Sequence, residues 1–568
     1  MFETLPRSAH DVMGWSWAHY EPYYRDLQTR PLDAASVAGW LADWTRINEL
    51  LDEVGTRLEV ATTLDTTDKA AEAAFIRYLD DIRPAFSSAE QTLKEKLLAS
   101  GLEPEGFAIP LRNLRGEAAL FREANIPLQV QVNKLSLEYD RIAGAQSVEW
   151  DGDDKTLTQA YALLESLDPD ARETLWRKIA DRHLQDRESL NSLWQQLLGL
   201  RQQIATNAGF DSFRDYQWKQ FGRFDYTPAD CETFQSSIEA VVVPAATRVY
   251  ERRARQTGVG AARPWDMQRD NVYPPAFPRL KPFDTTEQLE NTAQAIFDRV
   301  DPKLGEYYGI LRRENLLDLG NRKGKGPGGY CTRFLVEKRP FIFMNAVGSA
   351  EDVITLLHES GHAFHGFETN DLPYSQQKAY PIEFAEVASM SMELLSAPYW
   401  SASEGGYYSA ADTAHARRQH LEHILLFWPF MAVVDAFQHW VYTHVDEALD
   451  PNQCDAKWGQ LWDRFIPGMD WSGLDAMKVT GWQRKLHIFQ IPFYYVDYGL
   501  AQLGAVQVWR NAQHDQAQAV ANYRRGLALG GTATLPDLFA TAGARFAFDA
   551  DILRESVDLI ERTLDELS

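Results

Sequence analysis

The sequence predicts a mainly α fold with a little β, on three observations. Apolar residues recur at helical spacing through long stretches, among them Leu41 to Leu58 and Phe75 to Leu98. Strand patterns are few and short. Breaks rich in Gly and Pro, such as GLEPEGFAIP (101–110), punctuate the helical stretches. Of 568 residues, 45% are apolar and 24% charged, a balance that excludes wholesale disorder.

Residues 1–130 read as helices. Within 133–152, KLSLEY alternates and SVEWDGDD ends in a turn signal, which predicts a small hairpin. A helical pattern then runs from about Thr156 to Thr206, broken near LDPDAR (167–172). The Pro-rich stretch 257–284 lacks periodicity and reads as a long ordered connection. Residues 285–316 are helical again, and 320–348 form a Gly-rich loop followed by a short apolar strand, PFIFMNAVG. Helices dominate the remainder, including one from about Ala410 to Leu449 that Pro429 is expected to kink. No apolar run approaches about 18 residues, so no membrane span is expected. The start, MFETLPRSAHDVMGWSW, lacks the basic and apolar regions of a secretory signal.

Charge narrows the partners. Lys plus Arg is 57 and Asp plus Glu is 81, a net charge of −24. An acidic surface repels phosphate backbones and anionic lipid, so neither nucleic acid nor a membrane is expected. The three cysteines, Cys231, Cys331 and Cys454, are far apart and form neither a disulfide framework nor a CxxC site. They read as ordinary thiols and suit a cytoplasmic location.

Chemistry concentrates in LLHESGHAFH, residues 356–365. His358 and His362 are four apart, so a helix presents both imidazoles to one metal ion. Glu359 lies beside them and can take a proton from the water that such a metal activates. Ser349 followed by Asp352 is a capping box that starts this helix. With 13 histidines in the chain, chance yields this motif about 0.02 times. A catalytic zinc needs a third protein ligand. His365, Glu383, Glu386 and Glu393 are candidates. The glutamates share helix faces, so periodicity does not choose among them.

These residues belong to a wider pattern. HESGHAFH (358–365), AEVASMSME (385–393), GKGPGGYC (324–331), PFIFMNAVG (340–348) and HIFQIPFYYVDYGLAQ (487–502) together resemble the thimet-oligopeptidase class of zinc peptidases, in its oligoendopeptidase F and Pz-peptidase branch. The likeness spans at least residues 300–540. It implies two helical regions enclosing a deep substrate channel, with a small β-sheet beside the zinc site. The expected division is a helical domain of residues 1–170 and a catalytic domain of residues 171–568.

The resemblance also implies roles. Glu386 becomes the third ligand beside His358 and His362, for one zinc ion per chain. Glu393 supports the site, and His365 is its neighbour. His487, Tyr495 and Tyr498 match the late-loop residues that stabilise an oxyanion, with Tyr494 a further possibility. Gly328, Gly329, Tyr330, Phe343, Asn345 and Ala346 would meet an oligopeptide substrate, and residues 341–347 are expected to offer it an exposed strand edge. The implied activity is that of a zinc endopeptidase acting on short unfolded peptides.

Three bland readings accompany these. Gly324, Gly326 and Gly329 satisfy GxGxxG, but the run precedes a strand and opens no helix, which argues against a dinucleotide site. Arg322, Lys323, Lys325, Arg333, Lys338 and Arg339 read as a solvated basic stretch. His415, His420, His423, His439 and His444 read as structural.

Overall fold

The computed structural model describes residues 1–164, 167–266, 280–326 and 328–567. Helices dominate, joined by a two-stranded and a three-stranded sheet, as the mainly α expectation requires. The elements that position the site include α1 (Val37–Leu64), α2 (Arg83–Ser100), β1 (Ser147–Trp150), β2 (Asp153–Thr156), α3 (Pro228–Thr257), β3 (Leu317–Gly320), β4 (Tyr330–Phe334) and β5 (Arg339–Ala346). Here α4 and α5 are Thr286–Val300 and Pro302–Arg313, α6 is Ala350–Glu368, α7 is Ile382–Ser396 and α8 is Ala410–Thr443. After them come α9 (Tyr495–Ala512) and α10 (Gln516–Ala528).

The chain builds two compact units from alternating segments. Unit 1 comprises Met1–Ala118, Leu280–Thr413 and Gly504–Phe546. Unit 2 comprises Ala119–Arg279, Ala414–Leu503 and Ala547–Ser568. The boundary expected near residue 170 falls inside a continuous segment of unit 2.

In unit 1, α1 buries Trp40, Leu41, Trp44, Ile47, Leu51 and Val54, a stripe at helical spacing, in a core shared with Leu93 and Leu97 of α2. Trp44 Nε1 donates to Glu90 Oε1 at 2.7 Å. Glu90 is only 9% exposed, and burial pushes its carboxyl up to about 7 although the Trp44 bond opposes the rise. The folded chain therefore keeps a proton there that the unfolded chain releases near 4.5. The stability from this group is full below about pH 4.5 and is lost as pH rises through 7. Glu90→Gln, which can still accept from Trp44, should gain about 2–3 kcal/mol over the parent at pH 8 and nothing at pH 4. Urea denaturation at both pH values checks this, and an equal effect at both would refute it.

Glu53 of α1 is fully buried and holds the turn between β4 and β5. It accepts from the backbone N–H groups of Val336 and Glu337 at 2.6 and 3.2 Å and pairs with Arg57 at 2.8 Å. The three-stranded sheet has the order β3-β5-β4, with β5 parallel to β3 and antiparallel to β4. This corrects the first part of the expectation for residues 341–347, up to Phe343. Ile342 and Phe343 are buried and paired on both sides, as a continuous apolar strand is when it lies centrally, whereas Ala346 pairs with β3 alone. The edge strands are β3 and β4, whose short Gly-flanked, charged sequences gave no strand signal.

In unit 2, β1 and β2 pair antiparallel from Ser147↔Thr156 to Trp150↔Asp153. KLSLEY is not part of that hairpin. It lies in the helix Ile126–Gly144, which starts with Pro127 in its first turn. Tyr139 there stacks on Phe489 at 4.6 Å and donates to Gln483 O at 3.1 Å. Pro429 lies inside α8 without ending it. Contrary to the sequence expectation, α8 is long and apolar enough to cross a membrane by length and composition, but 78% of its most apolar window is buried within the protein. Most of the Pro-rich connection, residues 267–279, lies outside the described residues.

Candidate metal centre

Helix α6 starts as the sequence predicts. Ser349 Oγ accepts from Asp352 N, and Asp352 Oδ2 accepts from Ser349 N at 2.8 Å. One turn separates His358 from His362, and their rings meet edge to face with centroids 5.0 Å apart. Helix α7 packs against α6 and brings Glu386 to both. Glu386 Oε2 lies 3.4 Å from His358 Nε2 and 3.7 Å from His362 Nε2. Donor atoms of these three residues all lie within 4.8 Å of one another. Glu383 and His365 are outside this group. His365 is fully buried, its ring stacked on Tyr380 at 3.5 Å.

The close approach of α6 and α7 depends on Gly361. A Cβ there would stand 2.5 Å from both Ala388 O and Ser389 Cα, which are backbone atoms of α7. Ala388 O is fixed further by Tyr523 of α10, whose hydroxyl donates to it at 2.8 Å.

Glu393, two turns further along the same face of α7, takes the other nitrogen of His358, with Nδ1 to Oε1 at 2.7 Å. An Nδ1–H donated to Glu393 leaves Nε2 with its lone pair facing Glu386. Burial opposes charge on His358, but Glu386 and Glu393 outweigh it and raise its pKa well above the usual imidazole value. Burial likewise opposes charge on Glu386, and His362 and His358 still hold it below the usual carboxylate range. Ser389 Oγ donates to Glu386 Oε2 at 3.1 Å. Two imidazoles, a carboxylate and a supporting carboxylate make a field that favours a cation, and the donor set fits zinc. An ion there would displace the proton that His358 otherwise holds.

Glu359 points away from water, 8% exposed. Burial raises its pKa, with His362 and His358 opposing. The Cys331 thiol on β4 is pushed up by burial and then by Glu359, and β4 packs against α6.

A sequence model of peptidase family M3 matches residues 162–558. The chain belongs to peptidase family M3. It is 22% identical over 298 residues to an oligoendopeptidase F homolog of Borreliella burgdorferi, covering 51% of this chain and 49% of that protein. It is 24% identical over 312 residues to the chromosomal oligoendopeptidase F of Lactococcus lactis subsp. cremoris, covering 53% and 49%. The matched region thus spans about half the length of these curated relatives. The solved structure of Pz peptidase A with inhibitor 2 superposes with a TM-score of 0.88 at 25% identity, over 100% of this chain and 99% of that one.

The late-loop residues of this M3 chain lie in unit 2 and form a cluster of their own. His487 has its ring 4.9 Å from Tyr495, 6.0 Å from Tyr494 and 6.1 Å from Tyr498. Burial, and then Lys485, push the His487 pKa down to about 4, so its imidazole is neutral at pH 7. Tyr495 is buried, with the Lys485 ammonium 4.5 Å over its ring, whereas Tyr494 and Tyr498 are half-buried. Sequence reasoning missed Lys485, because a lone lysine carries no periodic or motif signal.

The Gly-rich loop is held from inside unit 1. Lys325 is not solvated, as the sequence suggested. Its ammonium is buried against Asp318 Oδ1 at 2.6 Å and accepted by Asp318 O and Gly320 O at 3.0 Å. Arg322 and Arg339 are paired too, with Asp318 and Glu314. Asn345 donates to Gly326 O and Gly328 O at 2.7 and 3.0 Å. Phe343 is buried and stacked on Tyr330 at 4.8 Å. Phe343, Asn345 and the buried Ala346 thus shape the loop from beneath, while Gly328 and Gly329 are exposed. Tyr330 is tied to α1 through Thr63, hydroxyl to hydroxyl at 2.6 Å.

Proposed function

We propose that this chain is a zinc-dependent endopeptidase that hydrolyses internal bonds of short, unfolded oligopeptides. The observation that carries the reading is the convergence of His358 Nε2 and His362 Nε2 on Glu386 Oε2, with buried Glu359 on the same helix. His358, His362 and Glu386 would hold the ion. When bound, zinc polarises the scissile carbonyl and acidifies the attacking water. Glu359 accepts the water's proton on its carboxylate and delivers it to the leaving amine nitrogen. Glu393 keeps His358 in the tautomer that presents Nε2. Neutral His487, with Tyr495 or Tyr498, is the proposed donor to the developing oxyanion, and Tyr494 flanks them.

The proposed peptide-binding edge is β4, together with Gly328 and Gly329. Its neighbour β5 satisfies one side, and β4 packs against α6, which carries Glu359. Main-chain pairing to a strand edge is indifferent to side chains, so broad sequence tolerance is expected.

Metal analysis tests the ligand set. Glu386→Ala should weaken zinc binding more than about 100-fold, whereas Glu393→Gln, which perturbs only a supporting contact, should cost about 10–100-fold. Equal, near-parental affinities in both would move the ligand role elsewhere. A ladder of quenched peptides of rising length, run beside casein and a folded protein, tests the substrate class. Cleavage at internal bonds that falls off with length is expected, and rapid digestion of casein would refute the restriction to short peptides.

A further inference from the structure

A second group of metal-ligating side chains lies in unit 2, outside the site above. Cys231 stands in the first turn of α3, and Asp435 and His439 stand one turn apart on α8. Donor atoms of the three lie within 4.8 Å of one another. Cys231 and Asp435 are 0% exposed and His439 is 5% exposed. Asp435 accepts from Gln235 Nε2 at 2.7 Å through Oδ2, but its Oδ1 has no hydrogen-bond partner. Neither ring nitrogen of His439 has one either, and its Nε2 lies 3.5 Å from Asp435 Oδ2. Buried polar atoms left in this way are costly unless something else satisfies them.

The surrounding charges do not supply that partner. Arg223 is the adjacent cation, and it is engaged by Asp497 at 2.5 Å and by Phe493 O at 2.7 Å. Trp218 and Phe493 pack their rings on His439 at 5.7 and 5.3 Å. A divalent ion balances the cluster, because a thiolate and a carboxylate cancel its two charges while the imidazole stays neutral. Sulfur, nitrogen and oxygen donors in one small group suit zinc.

We propose that Cys231, Asp435 and His439 form a second, buried zinc site that ties α3 to α8 beneath the loop carrying Tyr494 and Tyr495. Binding breaks the Cys231 S–H bond. The electron pair stays on sulfur as the ligand, and the proton leaves to solvent. Zinc–sulfur and zinc–nitrogen bonds of about 2.3 and 2.0–2.1 Å require the donors to draw together by about 1 Å at their widest. The loop above is one that needs fixing. Phe493 adopts a left-handed φ of 69°, its N–H donates to Gln438 Oε1 at 2.7 Å, and Gln438 neighbours His439 on α8. This site replaces the structural reading of His439 and adds an ion to the single zinc expected from the sequence. It does not rest on the proposed reaction.

The test is cobalt loading of the full chain after chelator treatment, followed by absorption spectroscopy and metal analysis. The His358, His362 and Glu386 set contains no sulfur, so it gives no thiolate-to-cobalt charge-transfer band. The expected result is such a band, with metal content twice that of Cys231→Ser, which should lose the band. Glu386→Ala should keep it. Absence of the band in the parent chain, with one ion bound, would overturn the proposal and leave a hydrogen-bonded triad. A band that persists in Cys231→Ser would overturn it as well. The parent measurement stands even if Cys231→Ser fails to fold.

Discussion

Glu359→Gln should reduce kcat by about 10²–10⁴-fold, the range for loss of a general base, while zinc content stays at the parental level. The amide matches the carboxylate in shape but has no basic oxygen. Because Glu359 is 8% exposed, the carboxylate is poorly hydrated, and burial raises its affinity for a proton. A neutral amide in the same place removes a buried charge, so the fold should be as stable as the parent or more so. Peptide turnover, metal analysis and thermal denaturation are read on one preparation. Near-parental kcat would remove Glu359 from the chemistry. Loss of zinc would instead make it part of the binding site.

Gly361→Ala is expected to destabilise the chain and to weaken zinc binding at least 10-fold, although the same change on an exposed helix surface stabilises by about 1 kcal/mol. The difference lies in what the methyl group meets. At 2.5 Å from Ala388 O and Ser389 Cα it strikes backbone, which no rotamer change relieves. Helices α6 and α7 must move apart, and overpacking of this kind costs about 1–3 kcal/mol or more. The same movement separates Glu386 from His358 and His362. Zinc titration and urea denaturation of the metal-free variant report the two effects separately. A variant with parental stability and zinc affinity would show that the helix pair yields without penalty.

What the sequence revealed about this region follows the range of the forces involved. Ser349, Asp352, His358 and His362 lie within one helix, so capping and a four-residue repeat sufficed to place them. The distinction among Glu383, Glu386 and Glu393 depends on how α7 meets α6, and that is set by Gly361 and Tyr523, contacts that no local pattern records. KLSLEY shows the opposite failure. Six alternating residues fit a strand, but Pro127 and the packing of Tyr139 on Phe489 favour a helix. The apolar run of β5 was visible, yet its central place depends on β3 and β4, whose short polar sequences do not identify them as strands. Lys325 was misplaced because an Asp318 cradle seven residues away is invisible to composition.

The alternation of segments between the two units has a consequence for the chain while it is being made. Tyr523 holds Ala388, Gly504 packs on Val387, and Gly526 packs on Phe384, so the cover of α7 is drawn from Gly504–Phe546. At a synthesis rate of about 5–20 residues per second, the ribosome needs roughly 20–80 s to travel from the end of the first segment of unit 1 to the start of its last. The N-terminal core around Trp40 and Trp44 draws its buried residues from the first 118 residues and can assemble early. The histidine and glutamate helices cannot be covered until Gly504–Phe546 has emerged. A nascent chain therefore carries an incomplete site past the other emerging proteins, and the proposed centre is covered only once residues 504–546 have been made.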